Sequence, residues 1–247
     1  MTHGNNDVIG VYRRYDEVDW LASISDVNSV IERALLFFDE LRVDDTRSEY
    51  FEVAERNHTE HRVYNQSQYL LSVMFKKLGK EEHAQAIRNK HPLGELDNDP
   101  RRKRHKANDR FCVLEGDVKT FYLSNQTNSN YNDEITLLSL YWLEKGDMDY
   151  SRKLWKKIYS RYDFSRGVLK MDKADSKRNL YPVYKVALLG ILAKRMNNTD
   201  TVANVCGSLM KWQDQTGGWV TDRASDLGPD GVANIETAAL SIMALLP

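Results

Sequence analysis

Two cysteines, five prolines and no apolar run long enough to cross a bilayer set the first limits on this chain of 247 residues. Cys112 and Cys206 are too few for a disulfide framework or a thiolate metal site, so buried free thiols are expected, with a single bridge as the other reading. A membrane-spanning helix needs about 20 apolar residues, and none is expected here. Neither sign of charge dominates: the formal net charge is −1. That removes a global field directed at nucleic acid or a membrane surface, and neither is expected as a partner. The start, MTHGNNDVIG, lacks the basic and apolar regions of a signal peptide. The compartment stays open between the cytoplasm and secretion after removal of a leader, which sequons at Asn57, Asn65, Asn125 and Asn197 would permit. All six histidines precede Cys112, and only His58 and His61 sit close together, as HTEH. One pair without a third ligand is a weak zinc signal, so no metal is expected. There is no glycine-rich phosphate loop, nucleophile elbow, HExxH or CxxC, and no cofactor is expected.

What is present is helical periodicity. Residues 131–145 (YNDEITLLSLYWLEK) are apolar on most sides, as in a helix lined by neighbours. Gly146-Asp147 stops that run, and an amphipathic helix follows over about 149–162. The same order returns: an apolar helix at 181–196 with Pro182 in its first turn, a break at Asn197-Asn198, and an amphipathic partner at 199–213. Further helices are predicted at 26–41, 64–78, 81–90 and 234–246.

The units overlay. Tyr131 to Tyr181 is 50 residues, and Asn132 to Asn234 is 102, about two periods. In this register Tyr64-Asn65 matches Tyr131-Asn132, and Glu134 coincides with Glu236. The linkers DFSRGVLKMD (163–172) and DQTGGWVTD (214–222) run in parallel. Two-helix repeats of this length stack into a solenoid or a ring. Residues 92–130 break the pattern as an irregular insertion, with a small hairpin expected at Phe111–Tyr122 turning at Gly116-Asp117. We expect one all-α domain over 1–247, an α/α toroid forming an open or incomplete ring, with short β-ribbons in the linkers.

The stretch QDQTGGW followed by ETAALSIMALL resembles the repeat of the terpenoid cyclase and protein prenyltransferase toroid superfamily, mainly over the last 40 residues or so. That resemblance implies inner helices pointing one way, outer helices the other, and a cavity inside the ring. It does not extend to the chemistry. Glu95-Leu-Asp-Asn-Asp99 is similar to the cyclases' proton-donating acidic motif, but Pro100 stands where its last carboxylate belongs. The zinc ligands of the prenyltransferases have no counterpart.

In such rings the mouth is built by linkers and by the starts of the inner helices. Those starts supply candidate catalytic groups, Glu134, Glu236, Asp133 and Tyr184, and candidate substrate contacts, Tyr64, Asn65, Tyr131, Asn132, Tyr181 and Asn234. Two carboxylates across a cavity can act as an acid and base pair. Equally, acidic residues favour a first helical turn because they oppose the helix dipole. Trp219, just past the glycine turn, is either a staple between hairpins or a pocket wall. The basic run Arg101, Arg102, Arg104 in the insertion would suit an anionic substrate group such as a uronate, sulfate or diphosphate, serve as a nuclear-import or nucleic-acid patch, or be a solvated loop.

Tyrosines with carboxylates and Asn suit a sugar. The leading reading is a glycan-active or glycan-binding toroid, as a hydrolase, lyase or epimerase if it is an enzyme. The alternatives are an isoprenoid-handling relative of the cyclases and prenyltransferases, and a non-catalytic scaffold with a protein partner.

Overall fold

The computed structural model describes residues 17–43, 45–52, 63–91, 110–114, 118–123 and 130–247, with backbone only at 17–25, 65–66 and 110–123. These residues form a mostly helical protein with small antiparallel sheets. Among them are nine helices: α1 (Glu17–Glu40), α2 (Asn65–Lys77), α3 (Glu81–Lys90), α4 (Asn132–Glu144), α5 (Met148–Tyr159), α6 (Lys173–Arg178), α7 (Val183–Arg195), α8 (Thr199–Trp212) and α9 (Ile235–Leu245). Eight of them fall where the periodicity predicts. The extra one, α6, is a single short turn capped by Asp172, whose carboxylate accepts from the backbone N–H of Ala174 and Asp175.

Helices pair as the sequence pattern implies. α2 packs on α3, α4 on α5, and α7 on α8, the more apolar member facing inward each time. The apolar members then pack on one another: α4 against α7, α7 against α9, and α9 against α2. α7 and α9 are apolar all round and so need partners all round. Every residue of α7 from Lys185 to Ala193 is buried, as is every residue of α9 except Glu236. A hairpin of β1 (Arg110–Leu114) and β2 (Val118–Leu123) occupies the gap between α2 and α4, touching α2 through β2 and α4 through β1. The neighbours therefore form a circuit: α2, α9, α7, α4, hairpin.

The first part of the chain closes on the last. α1 packs against α9, and the Gln213 amide at the end of α8 donates to the Val30 carbonyl at 2.7 Å and to Gly217 O at 2.8 Å. Gly217 has φ +87°, and a Cβ there would lie 2.2 Å from the Arg33 carbonyl oxygen of α1. Only glycine satisfies both demands. The backbone N–H of Ile235 donates to Glu52 O, and Gln68 clamps Tyr50 through both its N–H (3.0 Å) and its C=O (2.7 Å).

The two linkers aligned in sequence fold alike. Asp163 Oδ1 accepts from the backbone N–H and hydroxyl of Ser165, and Asp214 Oδ1 accepts the same pair from Thr216. Each turn ends in a glycine with positive φ, Gly167 (+71°) and Gly217 (+87°). The first leads through β3 (Tyr162–Asp163) and β4 (Val168–Leu169). The second leads into β6 (Val220–Arg223), which pairs with β5 (Tyr181–Pro182) on one side and β7 (Pro229–Ala233) on the other.

Candidate functional site

The helices α2, α4, α7 and α9 begin at one end of the molecule, and the local bonding shows why. The β5–β6–β7 sheet places the start of α7 (Tyr181, Pro182) beside the approach to α9 (Ala233). The start of α4 joins them because the Asn132 N–H donates to Asp172 Oδ2 at 3.0 Å, and the same oxygen receives Lys185 Nζ of α7 at 2.7 Å. The start of α2 joins through Gln68, Tyr50 and the Glu52–Ile235 bond.

The densest chemistry at this rim surrounds Lys185. Its ammonium also donates to both oxygens of Asp175 at 2.9 Å and lies 4.0 Å from Asp133 Oδ1. The lysine side chain is 5% exposed, Asp172 0% and Asp175 2%, so these charges have exchanged water for one another. Burial works to discharge Lys185, but the Asp133 charge and the hydrogen bonds to Asp172 and Asp175 outweigh it and hold its pKa above the ordinary lysine value. Burial also opposes ionisation of Asp172, yet the hydrogen bonds from Lys185 and from the N–H groups of Asn132 and Asp175 bring its pKa below the usual carboxylate range. Asp175, on the same ammonium, stays above its ordinary value because burial and the neighbouring Asp172 charge prevail.

Asp133 connects this cluster to the surface. Tyr184 donates its hydroxyl to Asp133 Oδ2 at 3.0 Å, and the Asp133 side chain is 29% exposed. Burial and the Asp133 charge push the Tyr184 phenol far above its ordinary value, so Tyr184 is a neutral donor and no base at neutral pH. Asn132 is fully buried: its amide donates to Lys170 O at 2.8 Å, and its carbonyl oxygen accepts from Arg161 at 2.9 Å. Beyond β5, Arg166 donates to the Tyr181 hydroxyl at 2.7 Å and lies over the Tyr181 ring. Arg178 reaches Asp222 at 3.2 Å.

The structure joins Asp133 to Tyr184 and places Asn132 and Tyr181 in the same rim. Glu134 and Glu236 both lie in first turns, partly exposed, on helices flanking α7. α4 and α9 each pack on α7, so the two glutamates start from different neighbours of one helix. Tyr131 precedes α4 and is 40% exposed. Tyr64 precedes α2, Asn65 is its first residue, and Asn234 caps α9 by accepting from the Thr237 N–H at 2.9 Å.

Two candidates are corrected. Trp219 is 0% exposed with its indole N–H donated to Leu209 O at 2.7 Å, so it is a staple and offers no surface to a ligand. Asn132 is likewise committed to the protein on both ends of its amide. Arg101, Arg102 and Arg104, His58, His61 and the 95–99 acidic stretch lie outside the described residues. Among the described residues no group of three or more His, Cys, Asp or Glu side chains is arranged to hold a metal.

Lys185, Asp172 and Asp175 were missed by motif reasoning. Their signal was in the sequence nonetheless: a lysine inside the apolar run YPVYKVALLGIL needs a buried counter-charge, and DKAD just upstream carries two carboxylates three residues apart. No protein-family model, no curated protein and no solved structure matches this chain.

Proposed function

We propose that this chain is an α/α toroid, of the kind its C-terminal repeat resembles, and that its rim binds or acts on a glycan. The observation carrying this reading is the convergence of inner-helix starts on one end, with Asp133, Tyr184, Tyr131, Glu134 and Glu236 as its partly exposed groups. The circuit of inner helices supports the toroid. Carboxylates and phenols side by side offer what a sugar needs, acceptors and donors for hydroxyls beside ring faces for its C–H surfaces. Starting from two different helices that pack on α7, Glu134 and Glu236 suit a grip on two parts of an oligosaccharide. Within this reading Asp133 is the acceptor at the centre, aimed by Tyr184 and fixed by the Lys185 charge.

The test is titration calorimetry of the full chain against neutral and acidic oligosaccharides, alongside Glu134→Gln and Glu236→Gln. Glycan binding that weakens in both variants at unchanged melting temperature supports the rim. Variants that bind as the parent does remove these glutamates from it. If they serve only as first-turn charges, each change costs about 0.3–1 kcal/mol of stability and leaves binding alone.

The aliphatic packing of α7 and α9 favours a second reading, a non-catalytic scaffold. The buried faces of α7 and α9 are aliphatic and small, and they pack on neighbours. A blank glycan screen on folded protein leaves this reading in place. The same aliphatic packing gives no support to an aromatic pouch for an isoprenoid.

A further inference from the structure

The formal charge of −1 conceals a strong local surplus. Residues 148–170, spanning α5 and the linker after it, hold seven basic and two acidic residues. That leaves a surplus of five positive charges within one helix and one turn. Along α5, Arg152 lies 3.9 Å from Asp149, both well exposed, a pairing that contributes little. Burial, and then the Arg161 charge beside it, hold Lys157 below the ordinary lysine value.

Beside these cations runs a row of rings, Trp155 partly buried against the core and Tyr159 and Phe164 exposed. Trp155 and Tyr159 sit one helical turn apart with centroids 5.4 Å from each other, and Phe164 continues the row at 5.7 Å from Tyr159. Tyr159 and Phe164 are each 38% exposed, unusual for rings that the core could have taken. The row is held from beneath: Phe164 packs on the buried Tyr162 at 4.9 Å, and Asn204 accepts from the Tyr162 hydroxyl and donates to Phe164 O. At helical spacing on α5, Arg152 and Lys156 flank the rings, while Lys153 and Lys157 fall on the opposite edge of the outward face, and Arg161 follows just past the helix end.

The direction of this face decides the partner. Its far end is the first turn of α5; its near end is Arg161, which donates to Asn130 O and to Asn132 Oδ1, both at 2.9 Å. Asn132 adjoins Asp133, the central acceptor of the rim. Cations and ring faces therefore lead along about four turns of backbone to the groups that would hold a sugar. Resting on the glycan reading above, we propose that the outward face of α5 is a binding track for an acidic polysaccharide, one bearing uronate or sulfate groups, whose chain end it delivers to the Asp133–Tyr184 rim. Lysines and arginines pair with its anionic groups. Tyr159 and Phe164 offer apolar area to the sugar rings between those groups.

The probe is a fluorescein-labelled oligogalacturonate, followed by fluorescence anisotropy with the full chain. Uncharged dextran and a single-stranded oligonucleotide of equal charge serve as competitors. The expected result is binding that weakens with salt, with the oligonucleotide a poorer competitor than unlabelled oligogalacturonate and dextran none. Lys153→Glu with Lys156→Glu, both exposed and so harmless to folding, weakens binding by about tenfold or more at low salt. Tyr159→Ala with Phe164→Ala, checked for an unchanged circular dichroism spectrum, weakens it at low and high salt alike. Parent-like binding by the lysine variant overturns the track, as does tighter binding of the oligonucleotide. An aromatic variant that binds as the parent does also overturns it, since charge alone then attracts the probe. Loss in the α5 variants with none in Glu134→Gln or Glu236→Gln keeps the track and removes the rim. The reverse pattern removes the track and keeps the rim.

Discussion

Replacing Lys185 by Met keeps the length of the side chain and removes its charge. Asp172 and Asp175, at 0% and 2% exposure, are then left facing each other without the ammonium that each contacts at 2.7–2.9 Å. Removing one partner of a buried ion pair costs about 3–5 kcal/mol, because the remaining charge stays out of water. For a protein of this size each kcal/mol lowers the melting temperature by about 2–4 °C, so Lys185→Met is expected to melt about 6–20 °C below the parent. The pH dependence fixes the mechanism. In the parent, the depressed pKa of Asp172 contributes stability above the unfolded carboxylate value of 3.8, lost as pH falls through the lower folded value. The raised pKa of Lys185 contributes stability below the unfolded lysine value of 10.5, lost as pH rises through the higher folded value. Asp175, held above its ordinary value, subtracts from this at neutral pH. The stabilising window of the pair therefore spans roughly pH 4 to 10. In Lys185→Met the two carboxylates are relieved by protonation, so the deficit should shrink as pH is lowered toward 4. Adding Asp172→Asn and Asp175→Asn to Lys185→Met should recover much of the loss. Thermal melts followed by circular dichroism from pH 4 to 8 measure all of this. A deficit that is independent of pH, or a triple variant no better than the single one, would refute a charge-based role for Lys185.

Gly146 and Gly217 both have positive φ, but only Gly217 faces backbone. Gly146→Ala should cost about 1–2 kcal/mol for the left-handed conformation alone. Gly217→Ala should cost clearly more, since its Cβ meets Arg33 O of α1; equal losses in denaturant melts would show that α1 does not pack there. Trp219→Phe removes the indole bond to Leu209 O from a fully buried site, and a loss of about 1–3 kcal/mol with unchanged glycan affinity is expected. An affinity change in folded Trp219→Phe would return that residue to the ligand site.

Local physics made much of this fold legible from sequence alone. The helices at 81–90, 132–144, 183–195, 199–212 and 235–245 follow from apolar periodicity and from breakers at their ends. The two Asp–Ser/Thr–Gly turns are local too, since the hydrogen bonds that close them span at most four residues. The apolar breadth of α7 and α9 announced burial on all sides.

Tertiary structure decided whatever depends on residues far apart in the chain. Asn132 meets Asp172 across 40 positions, Tyr184 meets Asp133 across 51, and Gln213 meets Val30 across 183. No pattern within a helix encodes those meetings; they follow from how whole helices stack. The same holds for Trp219. Its place after a glycine turn suited a staple or a wall, and the choice was made by tertiary packing, which removes the ring from water and gives its N–H the Leu209 carbonyl of α8. A buried lysine can be recognised in sequence as needing a counter-charge, but which carboxylates supply it is a property of the assembled helices. Electrostatic pairing in a low-dielectric interior is set by distances of a few ångströms, and only the packed chain fixes those.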